Sequence, residues 1–565
     1  MKIAKLYRPL RGIWGLIDPQ EKRGALICLG VMLTLAVMEM AAASLIVALA
    51  SRLTAPGEKH GLVALSLFCV VVFIIKGGLA LFDSFMQNRW IQALIVDFKR
   101  RLMERYTRMD YAHQIMRNSG QSLAILNHDV DFWMRIGLSS TGIMLSEGTV
   151  FLIIMMFLLY IQPWITLILL ALFGILGFAF VRVLSPMFRR WGKTMHRTAE
   201  QGHHQALQIL QSYKDILIFG KTGYFISLYQ AQSLQRAQVT VKSAMAQVIP
   251  RVGIESVFVM FFAGLVVSFS MLNYNFNELT TVLSAYLYAG FRLLPGLNRT
   301  LIQFSNIRVA EASIDKVVSE LNAPAYDSVY SASPGLTFNQ SILLRNVTYR
   351  YPGTDRDVLR SIDLEIRKGE YIGIIGETGS GKSTLFHLLL GLLIPSAGQV
   401  LIDGQYPASS LEWHHKVGYA AQNFHLIDGS VADNIAFGVS PGERDDGLIR
   451  AALKDAQLDD FIARLPAGME TEIGEKGVLI SGGERQRIAL ARALYRKPEI
   501  LMLDEATSAL DRETESSIMQ AIMALKDRGL TIITVTHRVD ALQGTDRVLN
   551  IEDGHISSKH SRTGS

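Results

Sequence analysis

Cysteine is nearly missing from this chain: two residues in 565, Cys28 and Cys69, each inside a hydrophobic run. A disulfide framework is therefore excluded as the source of stability, and both thiols read as packing residues. Charge is scarce too, with 19% Asp, Glu, Lys and Arg against 50% hydrophobic residues, and a mean hydropathy of +0.25 excludes an ordinary soluble protein. The scarcity is uneven. Long uncharged runs fill residues 24–305, whereas 342–556 has the mixed composition of a soluble α/β domain, so at least two domains are expected. Glycine and proline are sparse in the stretches 88–136 and 186–248, which argues for continuous helices there.

What is present is six runs long enough to cross a bilayer as helices: 24–50, 61–87, 137–161, 163–185, 249–273 and 279–305. The third and fourth are separated only by Gln162, before Pro163, and form a tight hairpin. The first is too long and too deep in the chain for a cleaved signal peptide. Lys and Arg are confined to one side: six in 1–23, eight in 88–136 and eight in 186–248, against two (Arg52 and Lys59) in the loop near 51–60. That bias places both termini and both long connections in the cytoplasm. The net charge of +6 is thus a topology signal, and no nucleic-acid partner is called for. An amphipathic start around Leu6, Tyr7, Leu10, Ile13 and Trp14 suits a helix lying on the inner membrane face. The two connections read as helical extensions that turn near Asn118-Ser119-Gly120 and between Ser212 and Gly220.

A linker, 323–341, joins the membrane domain, 1–322, to an α/β domain at 342–556, and a polar tail, 557–565, reads as disordered. Gly376-Glu377-Thr378-Gly379-Ser380-Gly381-Lys382-Ser383 fits the phosphate-loop pattern between an apolar strand-like run and a helix that opens with Lys382, Ser383 and Thr384. The glycines let consecutive N–H groups face phosphates at a helix start. Lys382 is placed for the β/γ-phosphates of ATP and the Ser383 hydroxyl for Mg²⁺. Ile500 to Leu503 is an apolar strand ending in Asp504 and Glu505, one carboxylate for Mg²⁺ and one to orient or deprotonate water. Ser481-Gly482-Gly483-Glu484 opens a second helix as another anion cradle. Two such cradles about a hundred residues apart are most simply used if two chains sandwich one nucleotide. His537 ends a further strand, where α/β sheets bind ligands.

With these motifs the chain resembles the ABC transporters of the exporter type, half-transporter subunits with one membrane domain and one ATP-binding cassette, over essentially its whole length. The phosphate loop, Ile480-Ser481-Gly482-Gly483-Glu484, the Asp504-Glu505 pair and the following Ser508-Ala509-Leu510-Asp511 carry the likeness. The resemblance implies that Tyr351 stacks on adenine, Gln422 contacts Mg²⁺ and relays toward the membrane helices, and His537 contacts the γ-phosphate. Thr471 to Gly477 is similar to a segment particular to exporters. Glu484 replaces the usual glutamine and Ile480 the usual leucine. One phosphate loop and six spans per chain imply a dimer, most simply of two identical copies.

Charges inside the spans bear on cargo, because such residues are expensive and mark pathways. They are Glu39, Lys76, Glu147, Glu255, Arg292 and Arg299, with Arg251 at the inner end of the fifth span. Arg292 and Arg299 share a helix face and Pro295 lies between them. Arg251 and Arg299 either line a path or snorkel to lipid headgroups; the glutamates either line it or serve as structural ion pairs. Phe291 to Arg299 is similar to the last membrane helix of bacterial lipid-linked oligosaccharide flippases, which implies arginines that attract a polyprenyl pyrophosphate. The expectation is a multi-pass protein of the bacterial inner membrane, with a cytoplasmic ATPase domain, that flips an anionic amphiphile among membrane lipids. A lipid-pyrophosphate glycan is preferred, and the alternatives are an exporter of drugs, peptides or lipid A-like lipids, or a channel or regulator.

Overall fold

The computed structural model describes residues 14–53, 59–117, 119–271, 276–323, 333–422, 424–474, 480–505, 512–536 and 542–559. The chain forms two compact units, Met1–Thr107 with Asn118–Ala325, and Arg108–Arg117 with Tyr326–Ser565.

The first unit is helical. Its elements are α1 (Pro19–Leu53), α2 (Lys59–Arg108), then, beyond the short α3 of the other unit (Tyr111–Met116), α4 (Ser139–Ile161), α5 (Pro163–Val183), α6 (Ser185–Gln211), α7 (Thr222–Met271) and α8 (Phe276–Asn322). The run before α4 holds two π-helical segments, Ile125–Asp129 and Trp133–Leu138. Gln162 takes an extended conformation and Pro163 starts α5 at its first turn, where a missing N–H costs nothing, so the α4–α5 hairpin is tight. Five of the described helices are long and apolar enough to span a bilayer, beginning at Pro19, Gly61, Gly120, Pro163 and Thr222. The sixth expected span, 279–305, lies within α8, which packs against α1, α4, α6 and α7. Only 6% of the most apolar stretch of α2 is buried, so its side chains present an apolar surface outward.

α8 is the spine of this unit. Tyr286, Ala289 and Leu293 pack with Ile154, Leu158, Phe173 and Phe258. Farther along, Ala310, Ile314 and Val317 pack with Phe98, Trp133 and Met134. Gly192 of α6 stands directly against the backbone of Val309, a crossing that leaves no room for a Cβ. The helices run far past any bilayer thickness, as the lack of breakers in 88–136 and 186–248 predicts; α2 and α7 have 50 residues each. The second bend falls where the sequence puts it, with a short helix Tyr213–Ile218 and a left-handed Gly220. The first begins earlier. α2 ends at Arg108 and the chain turns through α3, ahead of Asn118-Ser119-Gly120, because Asp110 caps α3 by accepting from His113 N at 2.7 Å. Asn118 itself lies outside the described residues.

The second unit has two main sheets. β1 (Ser341–Arg350), β2 (Asp357–Arg367), β4 (Ala397–Ile402) and β5 (Tyr406–Pro407) form an antiparallel sheet in the order β2-β1-β4-β5. β3 (Tyr371–Gly376), β6 (Val417–Ala420), β9 (Ile500–Asp504), β10 (Thr531–Val535), β11 (Arg547–Glu552) and β12 (His555–Lys559) form the other, in the order β12-β11-β3-β10-β9-β6. β7 (Gly429–Ser430) and β8 (Glu472–Ile473) make a small third pair. All neighbours in the six-stranded sheet run parallel except β12. β10 is buried at every residue, as a strand covered on both faces must be, and its run Thr-Ile-Ile-Thr-Val, rich in β-branched residues, shows no polar/apolar alternation. The register sets Val535 beside Ile374 and Asp504, which brings the carboxyl ends of β3, β9 and β10 together.

Two edges differ from the sequence reading. Residues 333–341 are not a loose linker, since Phe338 is fully buried and meets Trp413 edge-on at 5.6 Å. Ser557–Lys559, expected in a disordered tail, end β12 instead, where pairing with β11 satisfies their backbone.

Candidate functional site

Gly376 ends β3 with φ at +149°, and a Cβ there would run into the carbonyl of Ile551. Gly381 caps the helix α9 (Lys382–Leu389) in a left-handed conformation without any side-chain bond to the first turn. The opening N–H groups of α9 are therefore left to a ligand. The Lys382 ammonium donates to the carbonyls of Gly376 at 2.8 Å and Glu377 at 2.7 Å. Burial lowers its pKa, opposed by nearby Glu505. Ser380 Oγ is buried with no hydrogen-bond partner, an orphan that a bound phosphate oxygen would satisfy. Tyr351 OH lies 3.2 Å from Thr384 Oγ1, and its ring meets Tyr349 edge-on at 5.1 Å.

Asp504 closes β9, and its carboxyl pKa is raised by burial and by the adjacent Glu505. Glu505 has φ at +47°, a left-handed conformation that a glutamate adopts only when held. What holds it is visible: its N–H donates to Val535 O at 2.9 Å, and its Oε2 accepts from Gln422 Nε2 at 2.5 Å. Lys382, Asp504, Glu505 and Gln422 are thus gathered at one end of the parallel sheet. His537 and Ser508 to Asp511 lie outside the described residues, as do Glu475, Lys476 and Gly477.

Ser481 caps the helix α10 (Gly482–Leu494) in a reciprocal arrangement with Glu484. Glu484 Oε2 accepts from both the Ser481 N–H and its hydroxyl at 2.8 Å, while Glu484 N donates back to Ser481 Oγ at 3.3 Å. Arg464 reaches Glu484 Oε1 at 3.3 Å. The Ser-x-x-Glu spacing carries this cap in the sequence, but the anion-cradle reading passes over it.

Two further residues were not legible. Arg492, on α10, donates to Asn434 O at 2.7 Å and His425 O at 3.1 Å and lies over the rings of Phe424 and Phe437. It ties the segment just after Gln422 to the helix that Ser481 caps. Tyr111, on α3, packs against the ATPase core and meets His387 of α9 edge-on at 5.0 Å. Nothing in its local sequence distinguishes Tyr111 from any exposed tip residue.

In the helical unit the intraspan charges form one chain. Arg292 Nε donates to Glu39 Oε1 at 2.6 Å and Arg292 Nη1 to Glu147 Oε2 at 3.1 Å. Arg299 Nη1 reaches the other Glu147 oxygen at 3.2 Å, and Lys76 lies 3.2 Å from Glu39 Oε2. The glutamates are almost fully buried, whereas the Arg299 side chain is 62% exposed. Glu255 stands apart from this chain and pairs with Arg251 one turn away at 2.9 Å.

Both halves of the chain match known families. The ABC transporter transmembrane region matches residues 26–291 and the ABC transporter domain matches 359–508. The ATP-dependent lipid A-core flippase of Shigella sonnei (strain Ss046) is 30% identical over 573 residues, covering 98% of this chain and 95% of that one. The protein of the same name from Escherichia coli (strain K12) is 30% identical over 580 residues with the same coverage. This chain is an ABC transporter of the exporter type. A solved bacterial Atm1-family ABC exporter with ATP bound superposes with a TM-score of 0.80 over 96% of each chain, at 22% identity, which shows the shared fold. The exporter couples an ATPase domain to a multi-pass membrane domain and moves substances across the membrane as an ATP-dependent translocase of the exporter/flippase group.

Proposed function

We propose that two copies of this exporter pair as a homodimer in the bacterial inner membrane, ATPase domains in the cytoplasm. Together they flip an amphiphile with a phosphate-bearing headgroup from the inner to the outer leaflet. The preferred cargo is a polyprenyl-pyrophosphate-linked oligosaccharide. The observation that carries this reading is the unequal state of the arginines. Arg292 is held between two carboxylates, while Arg299 shares one of them and is 62% exposed, with Arg251 61% exposed. Three cations against two buried glutamates leave the Lys76–Glu39–Arg292–Glu147–Arg299 chain with an excess positive charge, and the planar fork of Arg299 suits phosphate oxygens. A lipid A-core glycolipid is the second reading, favoured by the names of the 30%-identical relatives.

The roles proposed at the ATP site rest on the motif chemistry and, for Tyr351, Gln422 and His537, on the resemblance to the family. Tyr351 stacks on adenine, and the loop Gly376, Glu377, Thr378, Gly379, Ser380 and Gly381 wraps the phosphates. Lys382 exchanges its two loop carbonyls for the β/γ-phosphate oxygens. The donor set of Ser383, Asp504 and Gln422, all oxygen ligands at a phosphate site, fits Mg²⁺, which when bound neutralises charge on the phosphates. Glu505 orients and deprotonates the attacking water, and its bond from Gln422 links that carboxylate to the segment Arg492 anchors. His537 contacts the γ-phosphate. Ser481, Gly482 and Gly483 of each copy close on the nucleotide held by the other. Tyr111 and α3, packed on the ATPase core, carry that closure into α2.

The test is flipping of a fluorescent polyprenyl-pyrophosphate glycan in proteoliposomes, with a lipid A-core substrate in parallel. Arg299→Ala is expected to lose flipping and keep basal ATPase. Flipping of the lipid A-core substrate alone by the wild type selects the second reading; no flipping of either by an ATPase-active protein removes both.

A further inference from the structure

Among the described residues, outside the ATP site and the intraspan charges, one cluster of ligating side chains has no part in the account so far. Asp129 ends the π-helical segment Ile125–Asp129 and is 1% exposed. His128 Nδ1 is 3.3 Å from its Oδ1, and His196 Nδ1, from α6, is 3.1 Å from the same oxygen. Ser313 of α8 donates to that oxygen at 2.9 Å. The ligand atoms of His128, Asp129 and His196 all fall within 4.8 Å of one another.

We propose that His128, Asp129 and His196 form a binding site for a divalent transition ion of the Zn²⁺, Co²⁺ or Ni²⁺ class. The plain alternative is a buried carboxylate that merely collects hydrogen bonds. Ser313 and His128 fit that alternative; His196 does not. Its Nδ1 lies 3.1 Å from Asp129 Oδ1 and, against the upward push of burial, lowers the pKa of that carboxylate, yet neither ring nitrogen has a partner in well-aligned hydrogen-bond geometry, and the ring is largely buried. The nitrogen and the oxygen are close without pointing at each other, as when both face a shared third point. The spacing agrees. Ligands bonded at about 2.0–2.1 Å in a tetrahedron stand roughly 3.3 Å apart; the separations from Asp129 Oδ1 are 3.1 and 3.3 Å, and the two histidine nitrogens lie within 4.8 Å of each other.

The surroundings match an ion site in a second respect. The far nitrogen of His196, Nε2, faces Glu200 Oε2 at 4.0 Å, and Glu200 is itself held by Lys316 at 3.0 Å. At that distance Glu200 makes no hydrogen bond to the ring and acts only as a nearby negative charge, which favours a cationic or ion-bound imidazole. π-Helical turns, such as the one that ends at Asp129, recur at functional sites. Two imidazoles and one carboxylate select borderline ions over Mg²⁺ or Ca²⁺, which prefer all-oxygen shells. His128 and Asp129, His196, and Ser313 sit on three separate stretches of helix, so the ion acts as a clamp on the long helical extensions.

The experiment uses the full-length protein, purified without a polyhistidine tag, stripped with chelator and titrated with Co²⁺, whose visible absorption reports tetrahedral nitrogen and oxygen ligation. One ion per chain is expected, displaced by Zn²⁺. His196→Ala is expected to abolish the spectrum. His128→Ala removes the most exposed of the three ligands and so guards against a folding defect; it is expected to lose the spectrum while keeping ATPase activity. His203→Ala/His204→Ala, histidines on the same helix outside the cluster, is expected to behave as wild type. No Co²⁺ spectrum in the wild type, or an unchanged spectrum in His128→Ala and His196→Ala, overturns the proposal.

Discussion

Arg292 and Arg299 share a helix face seven residues apart, yet their removal is expected to cost very different amounts of stability. The Arg292 guanidinium is 24% exposed and bridges Glu39 and Glu147, themselves 4% and 8% exposed. Arg292→Ala strands part of two buried carboxylates in the span region, where water cannot solvate them. Breaking a buried pair from one side costs about 3–5 kcal/mol. Here the lower end applies, because Glu39 keeps Lys76 at 3.2 Å and Glu147 keeps Arg299 at 3.2 Å. Arg299 holds a single carboxylate from a mostly exposed position, so Arg299→Ala should cost under about 1 kcal/mol. Thermal unfolding in nanodiscs, followed by tryptophan fluorescence, separates the two. Arg292→Ala should melt well below wild type and Arg299→Ala close to it. Adding Glu147→Gln to Arg292→Ala should recover part of the loss, since one stranded charge is gone, with a coupling of about 0.5–3 kcal/mol. Equal shifts for the two single variants, or no recovery in the double, would refute the structural role given to Arg292.

Asp504→Asn should stabilise the nucleotide-free protein while abolishing hydrolysis. In the folded domain burial and Glu505 raise the Asp504 pKa above its ordinary 3.8, so the folded state binds that proton more tightly than the unfolded chain. The resulting destabilisation is absent below 3.8, grows as pH rises through the folded value, and is complete at neutral pH. Melting curves should therefore show the variant above wild type at neutral pH, with the gap closing toward 3.8. Glu484→Gln should lower the KM for ATP. It removes a negative charge beside the cradle and weakens the hold on the Ser481 hydroxyl. A difference of about 1 kcal/mol between charged and neutral acceptors corresponds to roughly a fivefold change in steady-state KM.

The local sequence carried the elements built from uninterrupted patterns. Long apolar runs gave the helices, and the phosphate loop sits between β3 and α9 because its glycines permit the backbone found at Gly376 and Gly381. The Ser-Gly-Gly-Glu run opens α10 as expected, with Ser481 as its cap. What was not legible depends on partners distant in sequence. The pairing of Arg292 with Glu39 spans 253 residues and that with Glu147 spans 145, so spacing along one helix could not choose between pathway and ion pair. At the first tip the Asn-Ser-Gly signal marks only the later of two bends, and the earlier one at Asp110 was missed because it rests on a single capping carboxylate. Arg492 and Tyr111 act through contacts with residues 58 and 276 positions away in the case of Asn434 and His387, which no local pattern encodes.

The central claim, that ATP hydrolysis at the Gln422–Glu505 site drives movement of an anionic amphiphile between leaflets, is tested most directly in sealed proteoliposomes. Inward-to-outward movement of the labelled lipid would be followed with ATP for the wild type and for Glu505→Gln. The account predicts ATP-dependent flipping by the wild type. Glu505→Gln should bind ATP with similar affinity but lose about 10²–10⁴-fold of hydrolysis, with flipping lost in step. Sustained flipping by a hydrolysis-dead Glu505→Gln would contradict it.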